Sequence, residues 1–402
     1  MNKQSKSFSL RWVYLILGMV AMLFAGVLYA WSILKSPLAA QFGWSTSQLA
    51  LNFTLAMTFF CIGGLLGARL SKKLGHRVAL ILAGILSAAG FILTVMIHHS
   101  SVITLYITYG VLAGTGIGIA YNVVIATVSA WFPDKKGLCS GCLMMGFGAS
   151  ALVLGNAANA MFQSTVGWQG TYMILGIAIF VILALAGLLL KKPEAANTAA
   201  PAKNETPGEA QDFTSAGMLC TLPFWLIFFC ISFLAAVGSS VISFAKDLVL
   251  SVNGPEALAV SLVGVLSVCN GLGRILTGAV FDKIGCRRTM LLANILTIAA
   301  AGVTLAAVCV RSLPLCIIGV CLTGISYGAC PTITAACTST YFGMKYFPGN
   351  MALMTFTVMV GSLVATASNT VLEATGGYTA TFCMLLALTF VALLLNALIK
   401  KP

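Results

Sequence analysis

Long apolar runs of similar length, separated by short polar punctuation, make up nearly the whole chain. A helix needs about 20 apolar residues to cross the hydrocarbon core of a bilayer. On that measure the pattern predicts twelve spans, near residues 12–34, 47–69, 78–97, 102–130, 138–162, 170–190, 221–245, 257–281, 289–309, 313–340, 349–372 and 378–399. One long polar stretch interrupts them, residues 191–216, rich in Ala, Pro, Asn, Glu and Lys. Such a composition cannot build a core and predicts a flexible linker. The expected organisation is a six-helix half over 1–190, the linker, and a second six-helix half over 217–402. The apolar stretch Trp12 to Leu34 follows Lys3, Lys6 and Arg11 and is longer than a signal-peptide core, so it reads as a retained first span.

Composition agrees. Of 402 residues 59% are apolar and 8% charged, against about 25% charged in soluble domains. The 40 glycines suit helices packed closely in lipid. The 13 cysteines fall mostly inside apolar segments, where Cys behaves as a small hydrophobe. Cys139-Ser-Gly-Cys142 has no second pair and no ligating His beside it, so it predicts no metal site.

The net charge of +13 is explained by topology and not by nucleic acid, because the basic residues are spread over short loops. Eighteen of the 22 Lys and Arg fall at the termini, in the linker or in loops after even-numbered spans. Lys35, Lys246 and Arg311 fall on the opposite side, and Arg274 stands alone inside span 8. The positive-inside rule then expects both termini to be cytoplasmic, in a protein of the cytoplasmic membrane.

The halves echo each other at a constant offset of 210 residues. Leu74-Gly75-His76-Arg77 aligns with Ile284-Gly285-Cys286-Arg287, Trp131-Phe132 with Tyr341-Phe342, and Gly167-Trp168 with Gly377-Tyr378. Six plus six spans in this arrangement imply parallel repeats, with a binding site near the midplane between them.

Gly278-Ala-Val-Phe-Asp282-Lys-Ile-Gly285-Cys-Arg287-Arg288 resembles the loop signature of the major facilitator superfamily. The first half carries a degraded copy, Ala68 to Arg77 with Gly75, in which Lys72 occupies the Asp place. The resemblance implies an all-α membrane fold of twelve helices in two pseudo-symmetric halves. It also implies that Gly75, Arg77, Gly278, Asp282, Gly285 and Arg287 brace or gate and do not bind cargo. Tyr29-Ala-Trp31 in span 1, Phe42-Gly-Trp44-Ser45 after it, and Arg274 in span 8 further resemble the oxalate/formate antiporter and monocarboxylate porter group.

Arg274 is the centre of the functional expectation. A guanidinium at membrane depth costs about 2.5–3.5 kcal/mol on insertion scales and usually faces a cavity or a partner. No acid or histidine in the chain falls at mid-span. The expected neutraliser is therefore a substrate carboxylate held in two charge-assisted bonds. The alternative is that Arg274 snorkels toward the surface near Asp282, two turns away. Tyr121 and Asn122 in span 4, Tyr327 in span 10, Tyr29 toward the outer end of span 1, and Asn270 one turn before Arg274 are candidate substrate contacts. Asn52 and Asn156 are secondary, and Met144 and Met145 are read as packing.

Two departures from the group's pattern refine this. Proton-linked monocarboxylate porters typically carry an Asp where this chain has Asn270, so exchange or facilitated diffusion is expected, with Asp247 beside Lys246 as the reservation. The group's oxalate carrier is thought to use a lysine in span 11; Met351 to Gly361 contains none, and Lys345 lies in the loop before it. One fixed cation points to a monocarboxylate, with proton symport and oxalate/formate exchange as alternatives. A cation exporter would want a buried acid, and a membrane sensor would want an appended signalling domain. No phosphate loop, metal cluster or nucleophile–base pair argues for an enzyme, no cofactor is implied, and the chain is expected to act as a monomer in the bilayer.

Overall fold

The computed structural model describes residues 3–97, 101–191, 193 and 212–399. Among these there is no strand, and eleven helices are long and apolar enough to cross a membrane. They are span 1 (Leu10–Phe42), span 2 (Leu51–Lys73), span 3 (Gly75–Val95), span 4 (Val102–Ser129), span 5 (Gly137–Phe162), span 6 (Gly167–Leu189), span 7 (Leu222–Ala245), the segment Ser261–Cys309, span 10 (Leu313–Tyr341), span 11 (Phe347–Thr375) and span 12 (Tyr378–Leu398).

The 49-residue segment is two spans. As one rod it would be about 74 Å long, over twice the hydrocarbon core. Gly285 breaks it with φ 77° and ψ 177°, in the left-handed half of backbone space that favours glycine. Contacts with span 10 show the reversal. Gly324, Gly328 and Thr332 meet Leu266, Asn270 and Arg274 in parallel order. Thr304 packs on Gly319 and Cys286 bonds Cys337, which is antiparallel order. Spans 8 and 9 are thus a hairpin, and the count is twelve. Gly75 makes the matching turn between spans 2 and 3 with φ 83°.

Three expectations need correction. Span 1 does not end near Leu34 but continues to Phe42, where Gly43 (φ 66°) caps it. Tyr29 therefore sits well inside the span, in a short 3-10 turn over Gly26–Ala30. The 13 cysteines are not all packing residues, because Cys286 and Cys337 form a disulfide between spans 9 and 10. The linker is not flexible to its end. Phe213 N donates to Phe342 O at 3.1 Å, and Thr214 caps a short helix, Ser215–Leu219. Most of the predicted linker, 194–211, lies outside the described residues, as do His98 and His99.

Small residues let the helices touch backbone to backbone, as expected where packing and not hydrophobic exclusion drives association. A Cβ added at Gly63 would lie 2.2 Å from Thr115 O, and one at Gly118 would lie 2.0 Å from Phe60 O, so this contact between spans 2 and 4 has no room for a side chain at either position. Spans 5 and 8 make the contact that matters for function. At the end that carries the termini, a Cβ on Gly137 would come within 2.4 Å of Gly278 O, and one on Gly278 within 2.3 Å of Gly137 O. Further along span 8, Gly271 meets only Met145, at 3.6 Å, and Gly264 has nothing within 4 Å. The two helices are closed at one end and apart at the other.

Candidate functional site

Arg274 lies where that contact stops. Its side chain is 1% exposed, the largest fully buried side chain among the described residues, so it does not snorkel. Asp282, the carboxylate it was expected to approach in the alternative reading, is occupied elsewhere. Its two oxygens accept from Gly137 N at 2.8 Å and Leu138 N at 2.9 Å, capping the first turn of span 5. A carboxylate at a helix N-terminus is favoured by both the unpaired amides and the helix dipole. Asp282 thereby ties the two halves together at the closed end.

The guanidinium is held from both halves. Nε donates to Asn270 Oδ1 at 2.8 Å, one turn back on span 8, and Nη1 donates to the carbonyl of Met144 on span 5. Nη2 has no partner. Gly148 makes the room: a Cβ there would stand 2.9 Å from Arg274 Cζ and 3.0 Å from Nε. No ion pair reaches Arg274 among the described residues, and the described acids Asp134, Asp212, Asp247, Asp282 and Glu373 are all exposed. Asp247 is thus not the deep carboxylate held in reserve. A buried donor without an acceptor costs roughly 1–3 kcal/mol, more when charged, and Nη2 is the one guanidinium nitrogen not already committed to a protein acceptor.

Aromatic rings surround this charge. Tyr121 OH donates to Met144 Sδ at 3.1 Å, and its ring packs edge-on to Phe60 (4.9 Å) and Phe147 (5.1 Å). Tyr29 meets Phe147 edge-on at 5.1 Å. Tyr121 and Tyr327 are each within electrostatic reach of both Arg274 and Tyr29. Tyr29 and Tyr327 also share a small cavity of about 20 Å³ with Pro331, Thr334 and Thr357. That volume admits about one water. A carboxylate reaches Nη2 only when these rings or the spans that carry them move.

Four predicted residues, Arg274, Tyr29, Tyr121 and Tyr327, therefore form one cluster. The two amides do other work. Asn270 orients the guanidinium, with its Oδ1 spent on Nε. Asn122 does not face the cluster, because its Nδ2 donates to Pro348 O at 3.0 Å and bridges spans 4 and 11. Among the loop residues, Gly278 and Asp282 make the contact between halves, while Arg287 reaches only Ala397 O at 3.4 Å and Arg77 is exposed. Met144, read from sequence as packing, is the hub that accepts from both Arg274 and Tyr121. A backbone carbonyl gives no signal in a sequence, but Gly141 and Gly148, seven residues apart on span 5, share the face that meets Arg274 on span 8. Lys345 is exposed, so span 11 brings no second cation to the cluster.

The sequence profile of the Major Facilitator Superfamily matches residues 13–244 and 228–402, nearly the whole chain. The chain belongs to the major facilitator superfamily. Members are transporters and not enzymes, which agrees with a site built of one cation and aromatic rings. Within the superfamily, the oxalate:formate antiporter of Oxalobacter formigenes is 31% identical over 286 residues, covering 70% of this chain and 65% of that one. Monocarboxylate transporter 12 of Mus musculus is 24% identical over 367 residues, covering 85% of this chain and 74% of that one. The superfamily fold is also seen in the solved structure of the proton:xylose symporter XylE, with TM-score 0.74 at 14% identity over 100% of this chain and 97% of that one.

Proposed function

We propose that this transporter carries small carboxylate anions, monocarboxylates foremost, across the cytoplasmic membrane by alternating access. Exchange or facilitated diffusion is the mode, and one chain is the working unit. The observation that carries the reading is Arg274, whose Nη2 is buried without an acceptor while no described carboxylate lies near it. A cargo carboxylate accepts from Nη2 in charge-assisted bonds. Tyr121, Tyr327 and Tyr29 then offer phenol donors to its oxygens and ring faces to its carbon end. The oxalate:formate antiporter and the monocarboxylate transporter are named for substrates of this kind, which supports the same class here.

The termini are cytoplasmic on the distribution of basic residues, so the closed end of spans 5 and 8 faces the cytoplasm. Entry of an anion from the open end breaks the Met144 carbonyl bond, and that coupling of cargo to the contact between halves drives the switch. Proton symport is the weaker reading, because Asn270 cannot take up a proton and the described acids are exposed.

Counterflow in proteoliposomes tests this. Vesicles loaded with a panel of mono- and dicarboxylates should accumulate labelled monocarboxylate without a pH gradient. Uptake that requires an inward proton gradient overturns the exchange mode, and uptake of neutral or cationic solutes alone overturns the substrate class.

A further inference from the structure

A second cavity, without Arg274 in its lining, opens at the end that carries the termini. It measures about 520 Å³ and is lined by Gly285, Arg287, Arg288, Thr340, Tyr341 and Ile399, where the turn into span 9 meets the last turns of spans 10 and 12. The repeat shows what this space is elsewhere used for. At the 210-residue offset, Cys286 and Tyr341 correspond to His76 and Trp131. In the first half those two side chains bridge to the end of span 6: His76 Nε2 pairs with Leu190 O at 2.8 Å and Trp131 Nε1 donates to Lys191 O at 2.7 Å. In the second half the histidine's place is taken by a cysteine bonded to Cys337, and the indole's by a phenol. The ring nitrogens that make those bridges have no counterpart at Cys286 and Tyr341, and Arg288 adds a charge where the first half has Val78.

Neither arginine has an ion-pair partner among the described residues, and Arg287 makes only a long 3.4 Å bond to a carbonyl. Two guanidinium forks beside two hydroxyls are suited to a phosphate group. Below the cavity, the face of span 9 that carries Arg288 continues through Leu291, Leu292 and Ile295, all exposed and three, four and seven residues on. Positions at that spacing share one face of a helix. We propose that this cavity binds the phosphate of an anionic phospholipid, with Arg287 and Arg288 on the headgroup and an acyl chain along Leu291, Leu292 and Ile295. Basic pockets between membrane helices take such headgroups on general grounds. This holds whatever the transporter carries.

The test is native mass spectrometry of the full-length protein, purified in detergent and titrated with dioleoylphosphatidylglycerol or dioleoylphosphatidylcholine. The anionic lipid should be retained in preference to the zwitterionic one. Arg288→Val, which installs the first half's residue, should lower that retention about fivefold, the effect of one basic group near a membrane surface. Arg288→Lys should keep most of it, and Arg311→Gln, which removes an exposed charge at the opposite end, should change nothing. Equal retention of both lipids, or undiminished retention in Arg288→Val, overturns the site. Displacement of the lipid by inorganic phosphate at equal concentration overturns the lipid as occupant and leaves a free phosphate compound in its place.

Discussion

At the 210-residue offset Arg274 corresponds to Gly64, Asn270 to Phe60, Gly148 to Val358 and Asp282 to Lys72. The two pseudo-equivalent contacts between halves, spans 5 with 8 and spans 2 with 11, are thus built on one plan with different chemistry. Spans 2 and 11 meet through neutral groups: a Cβ on Gly64 would sit 3.8 Å from Ala352 Cβ, and Cys61 Sγ lies 3.6 Å from Thr355 O. Spans 5 and 8 carry a carboxylate cap at the closed end and a buried guanidinium where the contact gives out. A repeat tolerates divergence wherever it only holds the fold. The charge confined to one of two equivalent places marks where the second copy acquired a task.

The comparison is tested most severely by moving the charge. Arg274→Gly combined with Gly64→Arg keeps the charge count but should leave transport at background, because Phe60 and Val358 supply neither the amide acceptor nor the room that Asn270 and Gly148 supply. Recovered counterflow would show that the two contacts are interchangeable. Arg274→Lys alone should lower counterflow about a hundredfold, since a lysine keeps charge but loses the fork, and a mispaired buried charge costs several kcal/mol. Gly148→Ala follows, with an expected rise in KM of about tenfold as the methyl displaces the guanidinium, a shift of about 1.4 kcal/mol.

Asp282→Asn should slow exchange several-fold by weakening the cap on span 5, whereas Lys72→Gln should stay within about twofold; a carboxylate near a helix N-terminus contributes roughly 0.3–1 kcal/mol, up to about 2. Asn270→Asp gives the smallest and most informative effect. The new carboxylate pairs with Arg274 at neutral pH and competes with cargo. Protonation at acid pH frees the arginine, so uptake should be reduced at pH 7 and recover as pH falls. Uptake that falls with pH reverses the predicted sign.

Much of the fold was legible because hydrocarbon demands a simple code. Apolar runs gave the spans, and the Gly75 and Gly285 turns gave the repeat. Where the code failed, the cause was local. Lys35, half-buried in a helix that runs on to Phe42, made span 1 look eight residues shorter than it is and put Tyr29 near an end. The site was legible as far as its charge, since a lone Arg in an apolar run announces itself. Its holders were not: the Met144 carbonyl belongs to every residue type, and Gly148 matters only through what approaches it. Asn122 looked like a cavity amide until its bond to Pro348 O showed it to be a strut. The Cys286–Cys337 pair, 51 residues apart, depends on a hairpin geometry that spacing does not reveal.

The claim that the cargo neutralises Arg274 is tested most directly by equilibrium binding of a labelled monocarboxylate to the purified protein, with the corresponding neutral amide as competitor. The account predicts one carboxylate bound per chain, no displacement by the amide, and loss of binding in Arg274→Lys but not in Asp282→Asn. An unchanged Kd in Arg274→Lys, or displacement by the amide as readily as by the acid, would contradict it.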